Sequence, residues 1–185
     1  MTLLNPNQPL NHAEGGIYTI SYNDRLDLDF EDVDSVLYIG STRSFRNRFA
    51  RHNRELEKGH PNWLLKKVGK YANKNNQEIH FNKLLTLPRL YLQPSQYDKI
   101  LKAVEQWFIY LNRPLQDIER PMNKDCYCRH RLANWADAMN PTVDNAERIL
   151  PLLTTYSQCL KDDLALNLIL KGVIEYWTDI TFKGD

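Results

Sequence analysis

Three cysteines in 185 residues are too few, and the wrong parity, for a disulfide framework. The chain opens on MTLLNPNQPLNH, without the basic and then apolar run of an export signal. These two shortages predict a reducing, cytoplasmic setting. No stretch approaches the roughly 20 apolar residues of a membrane span, so no membrane partner is expected. Glycine is scarce, with seven residues, and neither an internal repeat nor a low-complexity tract occurs, which excludes fibrous and disordered classes. A net charge of only +1 excludes a protein that draws polyanions over its whole surface.

What is present is a core and an uneven distribution of charge. The 42% hydrophobic content supplies one domain of ordinary size. Residues 41–74 hold ten Lys and Arg against two acids, a local charge of +8. Residues 140–185 hold four basic and seven acidic residues, a local charge of −3. A phosphate-binding face on a near-neutral protein is the reading such asymmetry supports. Between two predicted strands, DRLDLDFEDVD (24–34) carries six acids and one Arg. It reads as a solvated hairpin loop, with a second reading as a phosphate mimic that covers the basic face.

Alternation and β-branched or aromatic content predict strands at 15–22, 35–40 and 78–87. Helical spacing predicts helices at 43–58, 61–72 and 95–112, the last with Tyr97, Ile100, Leu101, Val104, Phe108 and Leu111 on its apolar face. Residues 1–14 read as a polar lead-in. Beyond Met122, helices are predicted at 126–139, 143–160 and 162–178, with Thr142 as an N-cap after Asn140-Pro141. The expected class is α+β: a small three-stranded antiparallel sheet flanked by helices, plus a C-terminal helical appendage.

The basic helix carries the first chemical signal. Arg43, Arg46, Arg48, Arg51 and Arg54 crowd with His52 into twelve residues. Solvated helices ordinarily alternate sign for i,i+4 support. This helix keeps one sign as far as Glu55, so phosphate is the natural counter-ion. Lys66, Lys67 and Lys70 extend the face. The second signal is Glu105, set between Val104 and Trp107-Phe108, where a carboxylate is costly unless paired or bound to a cation. A helix-edge ion pair is the plainer account of that residue. Cys126, Cys128 and His130 form a C-x-C-x-H string that Cys159 or His12 could complete as a zinc site. Its spacing is atypical for zinc, and ordinary thiols are the default.

Two short strings give these residues a common frame. Gly16-Ile17-Tyr18 and Tyr38-Ile39-Gly40 lie on neighbouring predicted strands, and the Arg-rich helix follows. Arg48 stands ten residues after Tyr38 and opens an R-x-x-x-H string with His52. GSTRSFRNR (40–48) is similar to G-S-S-x-N-L-x-x-R. Glu57 to Asn62 and the Lys70-Tyr71 pair follow. Glu105 heads an E-x-x-x-I-x-x-L-like stretch, and Asn123 follows Pro121-Met122. The ordered set resembles the GIY-YIG nuclease family over about residues 15–124. One departure is the nineteen residues between Tyr18 and Tyr38, where about ten are usual. On that resemblance the chain divides into a lead-in (1–14), a nuclease-like domain (15–124) and a helical extension (125–185).

The resemblance implies a metal-dependent endonuclease acting on DNA, expected to be double-stranded, and leaving 5′-phosphate and 3′-hydroxyl ends. It implies Glu105 as the ligand of Mg²⁺, with Mn²⁺ as substitute, and Arg48 on the scissile phosphate. Tyr18 is the implied general base and needs a cationic neighbour or the metal field, with His52 or Arg48 as the candidate; Tyr38 orients water or phosphate and could share the base role, and Asn123 braces the site. A homodimer is expected if both strands are cut. Two other classes remain open: a non-catalytic nucleic-acid-binding module on the same fold, and a helical interaction protein acting through 125–185.

Overall fold

The computed structural model describes residues 4–21, 36–58, 78–119, 139 and 141–182. Among them lie β1 (Leu4–Pro6), β2 (Gly16–Ser21), β3 (Val36–Thr42), α1 (Phe45–Lys58), β4 (Ile79–Thr86), α2 (Pro94–Glu119), α3 (Val143–Cys159) and α4 (Leu164–Phe182). The class is α+β, as expected. The predicted helix 61–72, residues 126–138 of the predicted helix 126–139 and the acidic loop 24–34 lie outside the described residues, and Met139, which is described, is not helical. The chain divides into two compact units, Met1–Pro88 with Asn112–Asn134, and Arg89–Leu111 with Trp135–Asp185.

The sheet of the first unit has the order β1-β4-β2-β3. β2 pairs antiparallel with both β3 and β4, and these three match the strands expected from alternation. The fourth strand corrects the three-stranded expectation and makes the sheet mixed, because β1 pairs parallel with β4. Its source is the segment expected to be only a lead-in. Leu4 is buried, and its backbone N–H donates to Asn53 Oδ1 of α1 at 2.8 Å. The parallel pairing with β4, the Asn7 N–H bond to the Phe81 carbonyl at 3.2 Å, the buried leucine and the Asn53 acceptor together hold this segment at the sheet edge.

The β2–β3–β4 register decides which side chains meet. Ile20 stands opposite Tyr38 on one side and Phe81 on the other, while Tyr18 stands opposite Gly40. Side chains two apart share a face, so Tyr18, Ile20, Tyr38 and Phe81 form one layer. Phe45, Phe49 and Leu56 of α1 pack onto that layer, with Leu4 and Ile79 beside them. α1 starts where the sequence allows it. The Ser44 carbonyl receives the Arg48 N–H at 3.1 Å, and Ser44 exchanges bonds with the Thr42 hydroxyl at 3.0 and 3.1 Å. Ser44 Oγ accepts from the Asn47 N–H at 3.4 Å and so satisfies a backbone donor that a helix N-terminus leaves open. Phe45 N–H donates to the Glu14 carbonyl at 2.9 Å and ties the helix start to the approach to β2. Lys83 of β4 pairs with Glu14 at 2.8 Å.

The second unit is helical. Tyr97, Ile100, Ala103 and Val104 of α2, Ile149, Leu153 and Tyr156 of α3, and Leu170, Val173 and Trp177 of α4 are all buried. Trp177 Nε1 donates to the Ala103 carbonyl at 3.2 Å, which satisfies the one polar atom of the largest buried side chain. Thr142 caps α3 by accepting from the Asn145 N–H, as expected. Asp163 does the same for α4 by accepting from Leu166 N–H at 3.0 Å. Burial lifts the Tyr97 phenol to about 12, and lifts that of Tyr156 further. Among the described residues no helix is long and apolar enough to cross a membrane.

Candidate functional site

The first unit draws together residues far apart in sequence. Tyr18 Oη lies 2.8 Å from His52 Nε2, a bond between β2 and the middle of α1. The Tyr18 ring stacks on Phe81 with centroids 4.6 Å apart. The Tyr38 ring lies 5.9 Å from Tyr18 and 5.9 Å from His52, edge-on to the imidazole. Arg48, one turn before His52, is near enough for its charge to oppose protonation of the imidazole. Thus Tyr18, Tyr38, Arg48 and His52 share one neighbourhood.

The glycines of the two strings have distinct physical reasons. Gly16 has φ +152°, which L side chains rarely adopt, and a Cβ there would collide with the Leu85 carbonyl. Gly40 is needed for space rather than conformation. A Cβ there would lie 2.6 Å from Tyr18 Oη and 2.5 Å from Tyr38 Cε1. The final glycine of the second string therefore makes room for both tyrosines.

A carboxylate joins this group that was not among the expected site residues. Glu55 Oε2 lies 3.0 Å from His52 Nδ1, and its Oε1 accepts from Arg51 Nε at 2.8 Å. Glu55 is only 6% exposed, on a helix whose Arg46, Arg51 and Arg54 are exposed. The i,i+3 spacing from His52 carried the signal, since residues three apart share a helix face. The basic helix thus supplies one internal counter-charge, in addition to the phosphate expected as its counter-ion. Arg51 is engaged by it, although its side chain is 62% exposed. Arg43, Arg46 and Arg54 are exposed. Lys66, Lys67, Lys70 and Asn123 lie outside the described residues.

Electrostatics in this cluster run in one direction. Burial pushes the His52 pKa below its ordinary value, against the hydrogen bond and charge of Glu55, with Arg48 and Arg51 adding to the lowering. His52 is neutral at pH 7 on that balance. Glu55 is held down at about 2, first by its hydrogen bond to His52 and also by that to Arg51, against the opposing effect of burial. It is an ionised carboxylate with both oxygens in use.

Two expected features fit less simply. Tyr18 has no exposed surface, whereas Tyr38 is half-buried. Glu105 belongs to α2 in the second unit and is 2% exposed. That burial replaces the expected helix-edge position. A buried carboxylate is a ligand of the kind Mg²⁺ takes, since that ion binds through one or two carboxylates and keeps several waters. Among the described residues no group of three or more His, Cys, Asp or Glu gathers as a metal site. Cys126, Cys128 and His130 lie outside the described residues, and Cys159 is an exposed thiol. No known protein-family profile, curated protein or solved structure matches this chain.

Proposed function

We propose that this chain is a metal-dependent endonuclease of the GIY-YIG type, hydrolysing phosphodiester bonds of double-stranded DNA. The observation that carries the reading is the 2.8 Å bond from Tyr18, in the first string, to His52, in the R-x-x-x-H string of α1. The Tyr38 ring of the second string lies 5.9 Å from both. Residues selected only by sequence order meet in one place, and three chance strings have no reason to do so.

In this reading Arg48 grips the scissile phosphate and offsets charge on its equatorial oxygens. Tyr18 takes a proton from the attacking water while its own phenolic proton moves to His52 Nε2. The water O–H and phenol O–H bonds break, a new phenol O–H and an Nε2–H form, and the resulting hydroxide attacks phosphorus. Such a relay removes the difficulty of a phenol, with a reference pKa near 10, acting as a base at neutral pH. Tyr18 is fully buried, so substrate binding must open a path to its hydroxyl, and Tyr38 orients water or phosphate there. Glu105 would hold Mg²⁺ or Mn²⁺, which when bound supplies Lewis-acid stabilisation of the leaving 3′-oxygen. Arg43, Arg46, Arg54, Lys66, Lys67 and Lys70 would follow the DNA backbone, and Asn123 would brace the site. Products carry 5′-phosphate and 3′-hydroxyl ends. Cutting both strands calls for two active sites, hence a homodimer.

A second reading, a non-catalytic DNA-binding module, is favoured by the burial of Tyr18 stacked on Phe81, as a core side chain would be. Plasmid cleavage with Mg²⁺ separates the two readings. Cutting by the wild type, lost in Glu105→Ala with DNA binding retained, supports the nuclease. Binding without cutting under any divalent metal establishes the module instead. Equal cutting by both proteins overturns the role of Glu105.

A further inference from the structure

We infer that Glu55 is a positioning residue that locks His52 in the Nδ1–H tautomer, so that its bare Nε2 faces the Tyr18 hydroxyl. The argument is one of donors and acceptors. An ionised carboxylate only accepts. Glu55 Oε2 is 3.0 Å from His52 Nδ1, so Nδ1 must carry hydrogen. A neutral imidazole has one N–H, which leaves Nε2 as an acceptor. The only group bonded to Nε2 among the described residues is Tyr18 Oη at 2.8 Å, so the phenol donates. Glu55 in turn is held by Arg51 Nε at 2.8 Å, and its own position on α1 is fixed three residues after His52.

The groups around the imidazole agree with this assignment. From α1 come Arg48, Arg51 and Glu55; from β2, Tyr18; from β3, Tyr38; and from β4, the apolar ring of Phe81, 6.5 Å away. Two guanidinium groups and burial oppose an imidazolium, while one carboxylate favours it. The ring is therefore neutral at rest and has a counter-charge waiting if it gains a proton. Directional control of this kind is what a base needs when its partner is a phenol. The catalytic consequence rests on the nuclease reading; the tautomer does not.

The test reads both levels separately. Side-chain ¹⁵N spectra of the full chain at pH 7, with the His52 signals assigned by comparison with His52→Gln, should show a pyrrole-type Nδ1 and a pyridine-type Nε2. A protonated Nε2 in the neutral wild type overturns the inference without recourse to any variant. In Glu55→Gln the His52 protonation midpoint should fall by about one pH unit or more, because a nearby opposite charge is removed. An unmoved midpoint overturns it also. In the plasmid assay the same substitution should lower the cleavage rate about 100-fold, as losing a general-base device does, and change the pH profile. Wild-type cleavage with an unchanged rate and profile in Glu55→Gln refutes the positioning role and leaves the nuclease reading standing. A locked tautomer in a protein that cuts nothing supports the role of Glu55 and removes the nuclease reading.

Discussion

Replacing Gly40 by alanine adds one methyl group at the most crowded point of the tyrosine cluster. The new carbon would lie 2.5 Å from Tyr38 Cε1, 2.6 Å from Tyr18 Oη and 2.7 Å from Tyr18 Cζ. Non-bonded carbons rest at about 3.5–4.0 Å, so roughly 1 Å of overlap must be relieved. Tyr38 is half-buried and has room to swing outward. Tyr18 does not, since it is fully buried with its ring stacked 4.6 Å from Phe81. Overpacking of this kind costs about 1–3 kcal/mol. Removing a glycine from a strand returns about 0.5–1 kcal/mol. A net loss of up to about 2.5 kcal/mol in urea unfolding is expected. The larger effect falls on geometry, because a displacement of about 1 Å takes the phenol out of hydrogen-bond range of His52. The His52 side-chain ¹⁵N signals should therefore move. Wild-type stability together with unchanged His52 signals would refute the argument that this glycine makes room for the tyrosine ring.

Acid should weaken the fold in two stages. The unfolded chain takes up a proton near 6.5 that buried His52 resists, so stability is lost as pH falls below 6.5. Glu55, at about 2 instead of 4.5, adds stability that is present above 4.5 and lost as pH falls towards 2. Urea midpoints measured from about pH 8 to about pH 3 check this, and His52→Gln should abolish the first stage and shrink the second, because the hydrogen bond from His52 is the largest cause of the low Glu55 pKa. Replacing exposed Arg46 and Arg54 together by Gln should reduce the slope of log K against log salt for DNA binding by up to about 1.8, at about 0.9 per phosphate contact. An unchanged slope would remove the basic-face argument. Trp177→Ala should cost about 3–5 kcal/mol, since Trp177 is fully buried and its Nε1 bond to the Ala103 carbonyl is lost as well; a two-probe urea titration reads it.

How far the sequence reveals this structure depends on the range of the interaction in question. α1 and the cap of α3 are local, set by spacing and by Thr142, and both are legible. β1 is not, because Leu4-Asn5-Pro6 has no alternation to read, and its partners Asn53 and β4 lie 49 or more residues away. The Tyr18–His52 bond spans 34 residues and depends on the β2–β3 register, which no local pattern specifies. Glu55 is the instructive case. Its i,i+3 relation to His52 is as local as any helix pair, yet at the end of a basic run it reads as a sign change rather than as a partner. What distinguishes it is burial, with only 6% of the residue exposed, a tertiary property. A carboxylate that interrupts a single-sign helix three residues after a histidine should therefore be weighed as part of the histidine's chemistry. On a helix without neighbouring strands the same pair would be a solvated contact worth a few tenths of a kcal/mol. Beneath Tyr18 and Tyr38, it instead sets the direction of a hydrogen-bond chain.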